Sequence, residues 1–576
     1  MRNFKLPSKK ELNKVFHSFS RKERITFWVL VSVLFLSTIL ILQDINKAFM
    51  VKVPFKGGSL SIGMVGAPRF VNPILANEET DRNLTTLIYS GLMRKTSDGD
   101  IIPDLAEKYE VSDNGLTYTF TLKDNLYFQD GTPLTADDVI FTITSTKDPI
   151  IKSPYKIKWD GISVNKIDDK TVEFALRQPF ASFLENTTIG IMPKHLWSET
   201  AMELNSANTN PVGSGPYMVN SIDKQSSGSI NSYKLVPFKK FALGEAYIQN
   251  LNLHFYQNEE DLVKALLGKE VDQINSITPQ DAKILEEKKY QVKSPVLPRI
   301  FGLFFNQNQN QLFIDKSIIK AIDQAIDKEK IVQEVLLGYG VVADGPIPKG
   351  MASYHSSQNT TSASREEVLQ GVRDDLAKDG WKPDEDGFLE KTVTENKKKV
   401  VKKLEFSIST SNIEELAKTA ELVKNDLALV GIKVEVKTFE NGNLNQNVIR
   451  PRKYDALLFG EVINSESDLF AFWHSSQRKD PGLNVAMYTS SKADRLLEDA
   501  FVSSDKETRE GKYGQLEDEI RNDRTAIFLY SPDSIYTIAP KLDNVKTPSI
   551  IVPGDQYLNA YLWYTQTENV WKIFAK

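Results

Sequence analysis

A run of uncharged residues near the amino terminus, ITFWVLVSVLFLSTILIL at 25–42, decides how the rest of this chain can be arranged. At about 1.5 Å per residue, a helix of this length covers most of a hydrocarbon layer about 30 Å thick. The residues before it carry eight lysines and arginines against two glutamates. Because such basic flanks stay in the cytoplasm, we expect a cytoplasmic arm at 1–24, a transmembrane anchor at 25–43 and a main body outside the cytoplasm.

A cleaved signal peptide is the alternative interpretation of this segment. Its apolar part would be about 7–15 residues long and would be followed by a small-x-small cleavage motif. Here the polar sequence QDINK follows at 43–47. We therefore favour an uncleaved single-pass anchor in the cell membrane, with residues 44–58 as a short tether.

Length and composition narrow the class of protein. The 576 residues exceed one ordinary domain, and about 150 residues per domain predicts three or four compact units. A net charge of -5 argues against a nucleic-acid partner. The absence of cysteine excludes disulfides, thiolate nucleophiles and cysteine metal sites. The five histidines are scattered singly along the chain, so we predict no metal site and no cofactor.

The stretch from 105 to 145 carries a clear local pattern. After the turn residues SDNG at 112–115, apolar residues alternate with threonines over 116–122, which is typical of a half-buried strand. Thr135 then stands where a helix N-cap is expected, and Asp138 lies three residues further on, as in a capping box. The pattern predicts two hairpin arms followed by a capped helix.

The pair Asp137 and Asp138 also admits a catalytic interpretation as a general acid and base. Adjacent helical positions do not face the same way, and the start of a helix favours negative charge in any case. We therefore interpret the pair as helix capping and predict no catalytic residue there.

Within this stretch, FQDGTPLTADDVIFT at 128–142 resembles the signature of the extracytoplasmic solute-binding proteins of peptide ABC transporters, the oligopeptide and dipeptide binding group of solute-binding family 5. PVGSGPY at 211–217 is a second landmark. Its two glycines and two prolines predict a rigid turn in which the backbone needs positive φ or a close approach. It lacks the spacing of a phosphate-binding loop. Further similar segments extend the resemblance over about 59–570.

The resemblance implies an α/β, two-lobed, periplasmic-binding-protein-like fold with mixed sheets and an extra subdomain. The expected boundaries are 59–300 for the first lobe, with the subdomain at about 96–209, then 301–526 for the second lobe and 527–576 for a return to the first. Residues 402–438 support this independently, because alternating, helical and again alternating periodicities predict a parallel strand–helix–strand unit.

The function that the resemblance implies is the capture of oligopeptides in a hinged cleft and their delivery to the permease subunits of an ABC transporter. Many members are anchored through a lipid-bearing cysteine. This chain has no cysteine, so the apolar helix would take over that role. We expect a monomer without enzymatic activity.

The candidate ligand-binding residues come from segments that contact the ligand in the family. Members often pair the ligand ammonium with an aspartate shortly after a tryptophan. Here Glu461 occupies the tryptophan position, and the aspartate position falls near Asn464 or Ser465. Either Glu461 or Asp468 supplies the charge, or the ligand has no free amino terminus. The full set of candidates is Asn72, Asn306, Glu461, Asn464, Asp468 and Trp473.

Structural interpretations stand beside these hypotheses. Asp468 could cap the following helix, Glu461 could lie at the surface, and Trp473 could pack in the core, which its apolar surroundings favour. Three other functions also stay open: a binder of a sugar or metal chelate on the same fold, a ligand sensor, and a tethered hydrolase. GxSxG and HExxH motifs are absent, which disfavours the hydrolase.

Overall fold

The computed structural model describes residues 8–9, 15, 17–180, 182–356, 363–395, 398–503, 505–547, 552 and 554–575. The expected basic arm at 1–24 therefore lies partly outside the described residues.

In this part of the chain the helices are α1 (Arg21–Ala48), α2 (Glu79–Ile88), α3 (Ala136–Lys147), α4 (Phe183–Asn186), α5 (Lys194–Trp197), α6 (Glu259–Leu267), α7 (Pro279–Glu287), α8 (Lys316–Ala325), α9 (Lys328–Val335), α10 (Arg365–Lys378), α11 (Glu414–Ala428), α12 (Asn441–Asn443), α13 (Leu469–Trp473), α14 (Ser491–Val502) and α15 (Lys506–Asp523).

The strands are β1 (Met50–Pro54), β2 (Gly57–Val65), β3 (Met93–Lys95), β4 (Ile101–Pro103), β5 (Ala106–Val111), β6 (Thr117–Leu122), β7 (Ile162–Lys166), β8 (Thr171–Leu176), β9 (Tyr217–Lys224), β10 (Ile230–Pro237), β11 (Ile248–Tyr256), β12 (Gln273–Ile274), β13 (Gln291–Lys293), β14 (Arg299–Phe305), β15 (Gly340–Val342), β16 (Lys382–Pro383), β17 (Leu389–Glu395), β18 (Lys398–Lys403), β19 (Glu405–Ser411), β20 (Lys433–Phe439), β21 (Ala456–Val462), β22 (Ala526–Pro532), β23 (Tyr536–Ile538) and β24 (Thr567–Trp571).

One compact unit comprises residues 1–57 and 564–576. Its helix α1 begins at a capping box, in which the Glu23 carboxylate accepts a hydrogen bond from the backbone N–H of Ser20. The helix is long and apolar enough to cross a membrane, by length and composition. After it, β1 pairs antiparallel with β24. Helix and strand thus occupy most of residues 44–58, which the sequence predicts to be a short tether.

The second unit, 58–563, contains the two lobes. The first lobe is built on a sheet with the strand order β12-β2-β11-β10-β9, and its core includes Leu60, Ile62, Tyr217 and Leu253. Buried and more exposed residues alternate along these strands. One face of the sheet therefore buries its apolar side chains against α2, and the polar side chains lie on the other face.

The extra subdomain of the first lobe carries the sheet β5-β6-β8-β7. Its strands β6 and β8 bury every second residue, as the sequence predicted for 116–122. The predicted capping of α3 is confirmed, because the Asp138 carboxylate accepts from the N–H of Thr135 at 2.9 Å. Asp137 instead pairs with Lys166 at the surface.

The glycine-rich turn at 211–217 fixes the end of α2 against β9. A Cβ on Gly213 would lie 2.1 Å from the carbonyl oxygen of Ile88, and Gly215 donates its N–H to that same oxygen at 2.8 Å. Only hydrogen at these two positions allows the backbones to meet. The close approach predicted from the sequence is confirmed.

The second lobe is built on a mixed sheet with the order β15-β22-β14-β21-β19-β20. The predicted strand–helix–strand unit is confirmed, since β19 and β20 pair in parallel across the connection through α11. Gly431, at φ +79°, follows the helix where the sequence predicted its end.

Strand pairing corrects two expected boundaries. Residues 526–532 form β22, which pairs with β14 and β15 in the second lobe, so the return to the first lobe comes after Pro532 rather than at 527. There β23 pairs with β13. Residues 564–576 belong to the unit of α1 rather than to the first lobe.

Candidate functional site

A cavity of about 700 Å³ lies between the two lobes. The first lobe contributes the end of α2, β3, the region of α4, and Val552, Gly554, Asp555 and Leu558. The second lobe contributes residues 351–352, 464–466 and the first two turns of α15. A pocket of this size between two domains is typical of a small-molecule or peptide site.

Two ion pairs fix the first-lobe wall of this cavity. The Arg94 guanidinium donates to the Asp104 carboxylate at 2.8 Å, with both side chains buried. Lys95 pairs with Asp555 at 2.9 Å. Burial raises the pKa of Asp555, and the neighbouring lysine opposes that rise. Because each of these four charges has an ion-pair partner among the others, we assign them to shaping the wall.

A group of acidic residues converges on the cavity from both lobes. Glu185 of α4 exposes its side chain into the cavity, yet the surrounding protein desolvates its carboxyl and raises its pKa. Asp468 and Glu466 of the second lobe raise this pKa further, whereas Lys158 and Lys95 oppose the rise. Carboxylates of both lobes therefore lie near one another at the cavity, together with the ammonium groups of Lys158 and Lys95.

Tyr513 of α15 lies in the same place. Its ring is buried, and the pKa of its hydroxyl is raised first by burial and then by Glu466. Arg509 opposes this rise, and Glu185 and Asp468 add smaller contributions to it. A phenol that stays protonated can donate a hydrogen bond to a ligand carbonyl or to one of these carboxylates.

The segment 464–468 presents the second-lobe side of this group of carboxylates. The Asp468 carboxylate accepts from the N–H groups of Asn464 and Ser465, at 2.9 and 3.2 Å, and so closes the capping box of the short turn Glu466–Asp468. Its side chain makes no cap bond to α13, which follows, so the expectation that Asp468 caps that helix is wrong. Glu466 accepts from the N–H of Ser353 at 2.9 Å, which ties loop 351–355 to the cavity wall. Of the predicted candidates, the structure places Asn464 in the lining and Asp468 beside it.

Glu461 lies elsewhere, inside the second lobe. Its side chain is 1% exposed, on the face of β21 that packs against Trp473, and it is not among the described residues that line the cavity. Burial raises its pKa well above the ordinary value, and the neighbouring indole of Trp473 opposes this only in part. The hypothesis that Glu461 faces the cleft finds no support in this position.

Trp473 is fully buried and packs against Phe304, Tyr488 and Phe528 in the second-lobe core. This is the core packing that its apolar surroundings favoured.

The two predicted asparagines outside this segment serve the local fold. Asn72 accepts from the N–H of Ile74 and turns the chain before the cavity-lining Pro73. Asn306 donates to the carbonyl of Arg452 and accepts from the N–H of Asn308, which ends β14. Both are buried, and neither is among the described residues that line the cavity.

Comparison with known proteins now identifies the family. The model for bacterial extracellular solute-binding proteins, family 5, matches residues 100–482, which is more than half of the chain. The chain belongs to this family. The mixed α/β fold with two lobes, expected from the sequence, is confirmed by its structural relatives.

Among the curated relatives of this family 5 protein, the oligopeptide-binding protein AppA of Bacillus subtilis is 27% identical over 505 residues, which cover 86% of this chain and 90% of AppA. The structure of AppA in complex with a nonapeptide matches with a TM-score of 0.66 at 26% identity, covering 89% of this chain and 99% of that one. NikZ from Campylobacter jejuni, in complex with Ni(L-His), matches with a TM-score of 0.68 at 25% identity, covering 88% and 99%.

Sequence reasoning on this family 5 protein missed Glu185, Glu466 and Tyr513. Glu185 lies in a helix of only four residues, which is too short to show a helical repeat of apolar residues in the sequence. Glu466 offered a weak signal, because it lies inside the segment already predicted to contact ligand. Tyr513 looks like any buried aromatic of a helix, and only the packing of the two lobes places it at the cavity.

Proposed function

We propose that this family 5 protein binds oligopeptides outside the cytoplasm and delivers them, as a monomer, to the permease of an ABC transporter. The observation that carries the proposal is the cavity between the lobes, with carboxylates of both lobes near one another at its wall. The nonapeptide bound by the related AppA supports the same class of ligand.

This group of carboxylates suits the ammonium group of a peptide. Family members supply an aspartate near the position that Asn464 occupies here, and an amide carries no charge. In this chain the carboxylates of Glu185, Glu466 and Asp468 lie near one another at the cavity. A ligand ammonium would add to the stabilisation that Lys158 and Lys95 already give the ionised form of Glu185, because an opposite charge favours the ionised form of a carboxylate. We therefore assign recognition of the amino terminus to Glu185 together with this segment.

The first experiment measures peptide binding to the full chain in lipid nanodiscs. Calorimetry and thermal unfolding are followed with peptides of two to nine residues, free or N-acetylated. A ligand at one hundred times its Kd should stabilise the folded protein by about 2.7 kcal/mol. If no peptide binds and nickel with histidine stabilises the protein, the proposed ligand is wrong and a metal chelate takes its place. The assignment to the family would not change.

Replacement of one carboxylate tests the assigned role. Glu185→Gln should weaken binding of free-amine peptides about 10–100-fold, since hydrogen bonds to charged groups contribute about 1.5–3 kcal/mol. Binding of the N-acetylated peptides should change little. Glu203→Gln, an exposed glutamate of the same lobe, is the matched control. An equal loss for both kinds of peptide would contradict the assignment.

We propose further that α1 is retained as a single-pass anchor, with the amino terminus in the cytoplasm. Its apolar length and its basic flank support this. Mass determination of the protein extracted from membranes distinguishes a retained helix from a cleaved one. A mature protein that begins after the apolar run, and that alkaline carbonate washes off the membrane, would overturn the anchor.

A further inference from the structure

The short antiparallel pair that follows α1 brings a distant part of the chain to the end of the apolar helix. Lys572 donates its N–H to the carbonyl of Phe49, the residue that caps α1, at 2.9 Å. Next to this bond, Met50 pairs with Trp571. At the other end of the pair, Phe55 donates its N–H to the carbonyl of Gln566.

Large apolar side chains are exposed at the helix end of this pair. Trp571 is 47% exposed, Ile573 78% and Phe574 72%, and Phe49 at the end of α1 is 59% exposed. The far end of β24 is polar, with the sequence TEN at 567–569 exposed. The strand therefore changes from polar to apolar in the direction of α1.

The length of α1 sets the level of these side chains relative to a bilayer. A hydrocarbon layer of about 30 Å takes about 20 helical residues, so a span that starts at Ile25 ends near Asp44. Phe49 then lies about 7 Å beyond the hydrocarbon, since each helical residue adds about 1.5 Å. The headgroup region on each side is about 5–8 Å thick. Phe49 and the backbone of Lys572 bonded to it thus come at the headgroup level.

We propose that Trp571–Phe574 inserts into the outer headgroup region of the same bilayer that holds α1, as a second contact between the chain and the membrane. Tryptophan suits this region, because its ring is apolar and its indole N–H is polar. Phenylalanine and isoleucine are wholly apolar and suit the boundary between headgroups and acyl chains. Lys572, between the apolar side chains, extends its amine towards lipid phosphates. The inference rests on the proposed anchor, because it places both elements in one membrane.

The chain has no cysteine, so single labels report on chosen positions in the full-length protein. Three variants are labelled with a fluorophore sensitive to polarity and reconstituted into phosphatidylcholine vesicles. Phe574→Cys tests the inference, Thr567→Cys at the far end of β24 is the matched control, and Ser37→Cys reports on α1. Vesicles with spin labels on the headgroup or at two depths of the acyl chain then quench each fluorophore according to its depth.

The label at Phe574→Cys should be blue-shifted and quenched most by spin labels at the headgroup and upper acyl chain. The label at Thr567→Cys should behave as in water, and that at Ser37→Cys should be quenched by the deepest spin label. Ile573→Cys repeats the test at a neighbouring exposed position.

Three results would overturn the inference. A label at 574 as aqueous as the one at 567 would show that the segment stays out of the membrane. A blue shift without quenching by any lipid would show that protein, from the permease or a second copy, covers the segment. A label at Ser37→Cys that reports a water-like environment would show that α1 does not span the bilayer. The label at position 37 thus distinguishes failure of the anchor from failure of this second membrane contact.

Discussion

At the scale of single residues, Glu461 shows how burial changes the meaning of a charge. Its place in the family's ligand-contacting segment suggested a carboxylate for the ligand ammonium. The structure instead encloses it beside Trp473 with 1% of its surface exposed. A buried carboxyl without a cationic partner is held in its neutral form, because the charged form loses its hydration. A neutral acid cannot pair an ammonium.

This burial makes the contribution of Glu461 to stability depend on pH. The unfolded carboxyl titrates near its ordinary pKa of 4.5, and burial raises the folded pKa well above this value. Between the two values folding takes up a proton, so the free energy of unfolding falls as the pH rises through that window. Glu461→Gln removes the titration, and we expect the Tm of the wild type to fall relative to the variant from pH 5 to pH 8.

The control for this prediction is Glu203→Gln, an exposed glutamate whose Tm curve should run parallel to that of the wild type. Peptide affinity should be unchanged in Glu461→Gln. The interpretation would be contradicted if the Tm curves of Glu461→Gln and the wild type were parallel and the variant lost affinity only for free-amine peptides. Glu461 would then face the ligand.

The sequence predicted the segment of the site better than its residues. Asn464, from the predicted segment, lies in the cavity lining, and Asp468 follows four residues later, because a contiguous segment follows the fold. Which side chain of that segment faces the ligand depends on the direction of β21 and on the layer packed against it. Glu185 was unpredictable for a stronger reason, since it approaches Glu466 only when the two lobes meet.

At the scale of elements, glycines with opposite surroundings test how the backbone is packed. At Gly213 a Cβ would collide with the carbonyl of Ile88, whereas at Gly371, within α10, a Cβ would meet nothing within 4 Å. The first glycine is required by a contact between backbones. The second only adds conformational freedom to the unfolded chain.

We therefore expect the same substitution to have opposite signs at the two positions. Gly213→Ala should lower the free energy of unfolding by about 1–3 kcal/mol, the usual cost of forcing a methyl group into a packed site. Gly371→Ala should raise it by about 0.5–1 kcal/mol, the difference in helix propensity. Urea titration followed by circular dichroism measures both, and a neutral Gly213→Ala would mean that α2 and the turn can separate freely.

Periodicity predicted those elements whose partners are close in sequence. The unit of β19, α11 and β20 was read correctly because each of its segments repeats apolar residues at the period of its structure. The pairing of β1 with β24 was missed. These strands have five residues each, and nothing local indicates a partner at the opposite end of the chain. The segment 526–532 was misassigned because a strand of either lobe looks alike in sequence.

At the scale of the whole two-lobed unit, 58–563, an aromatic stack joins the lobes outside the cavity. Phe180 of the first lobe stacks on Phe501 of the second, with ring centroids 4.8 Å apart and planes inclined by 17°. Such a contact exists only while the lobes are together, so it favours the closed arrangement that encloses a ligand.

Removal of this stack should reduce affinity without touching the ligand. Phe180→Ala should weaken peptide binding about 2–10-fold, the equivalent of an aromatic pair of about 0.5–1.5 kcal/mol. Tyr109→Ala removes a stack with Phe120 inside one lobe and serves as the matched control. Calorimetry on the full chain should show lower affinity only for Phe180→Ala. Equal affinities for the two variants would mean that the stack does not influence closure.

The order of the strands along the chain also determines when each lobe can fold during synthesis. The second lobe is one continuous stretch, from β14 to β22, and its core can close as soon as Pro532 has been made. The second lobe interrupts the sequence of the first lobe. The core of the first lobe includes Tyr536, Tyr557 and Trp563, which are synthesised after the second lobe. At about 5–20 residues per second, its early half waits many seconds for the late half. The first lobe is therefore the first to be started and the last to be completed. Its residues made before β14 expose apolar surface during this wait, so we expect a chaperone to bind them rather than the second lobe.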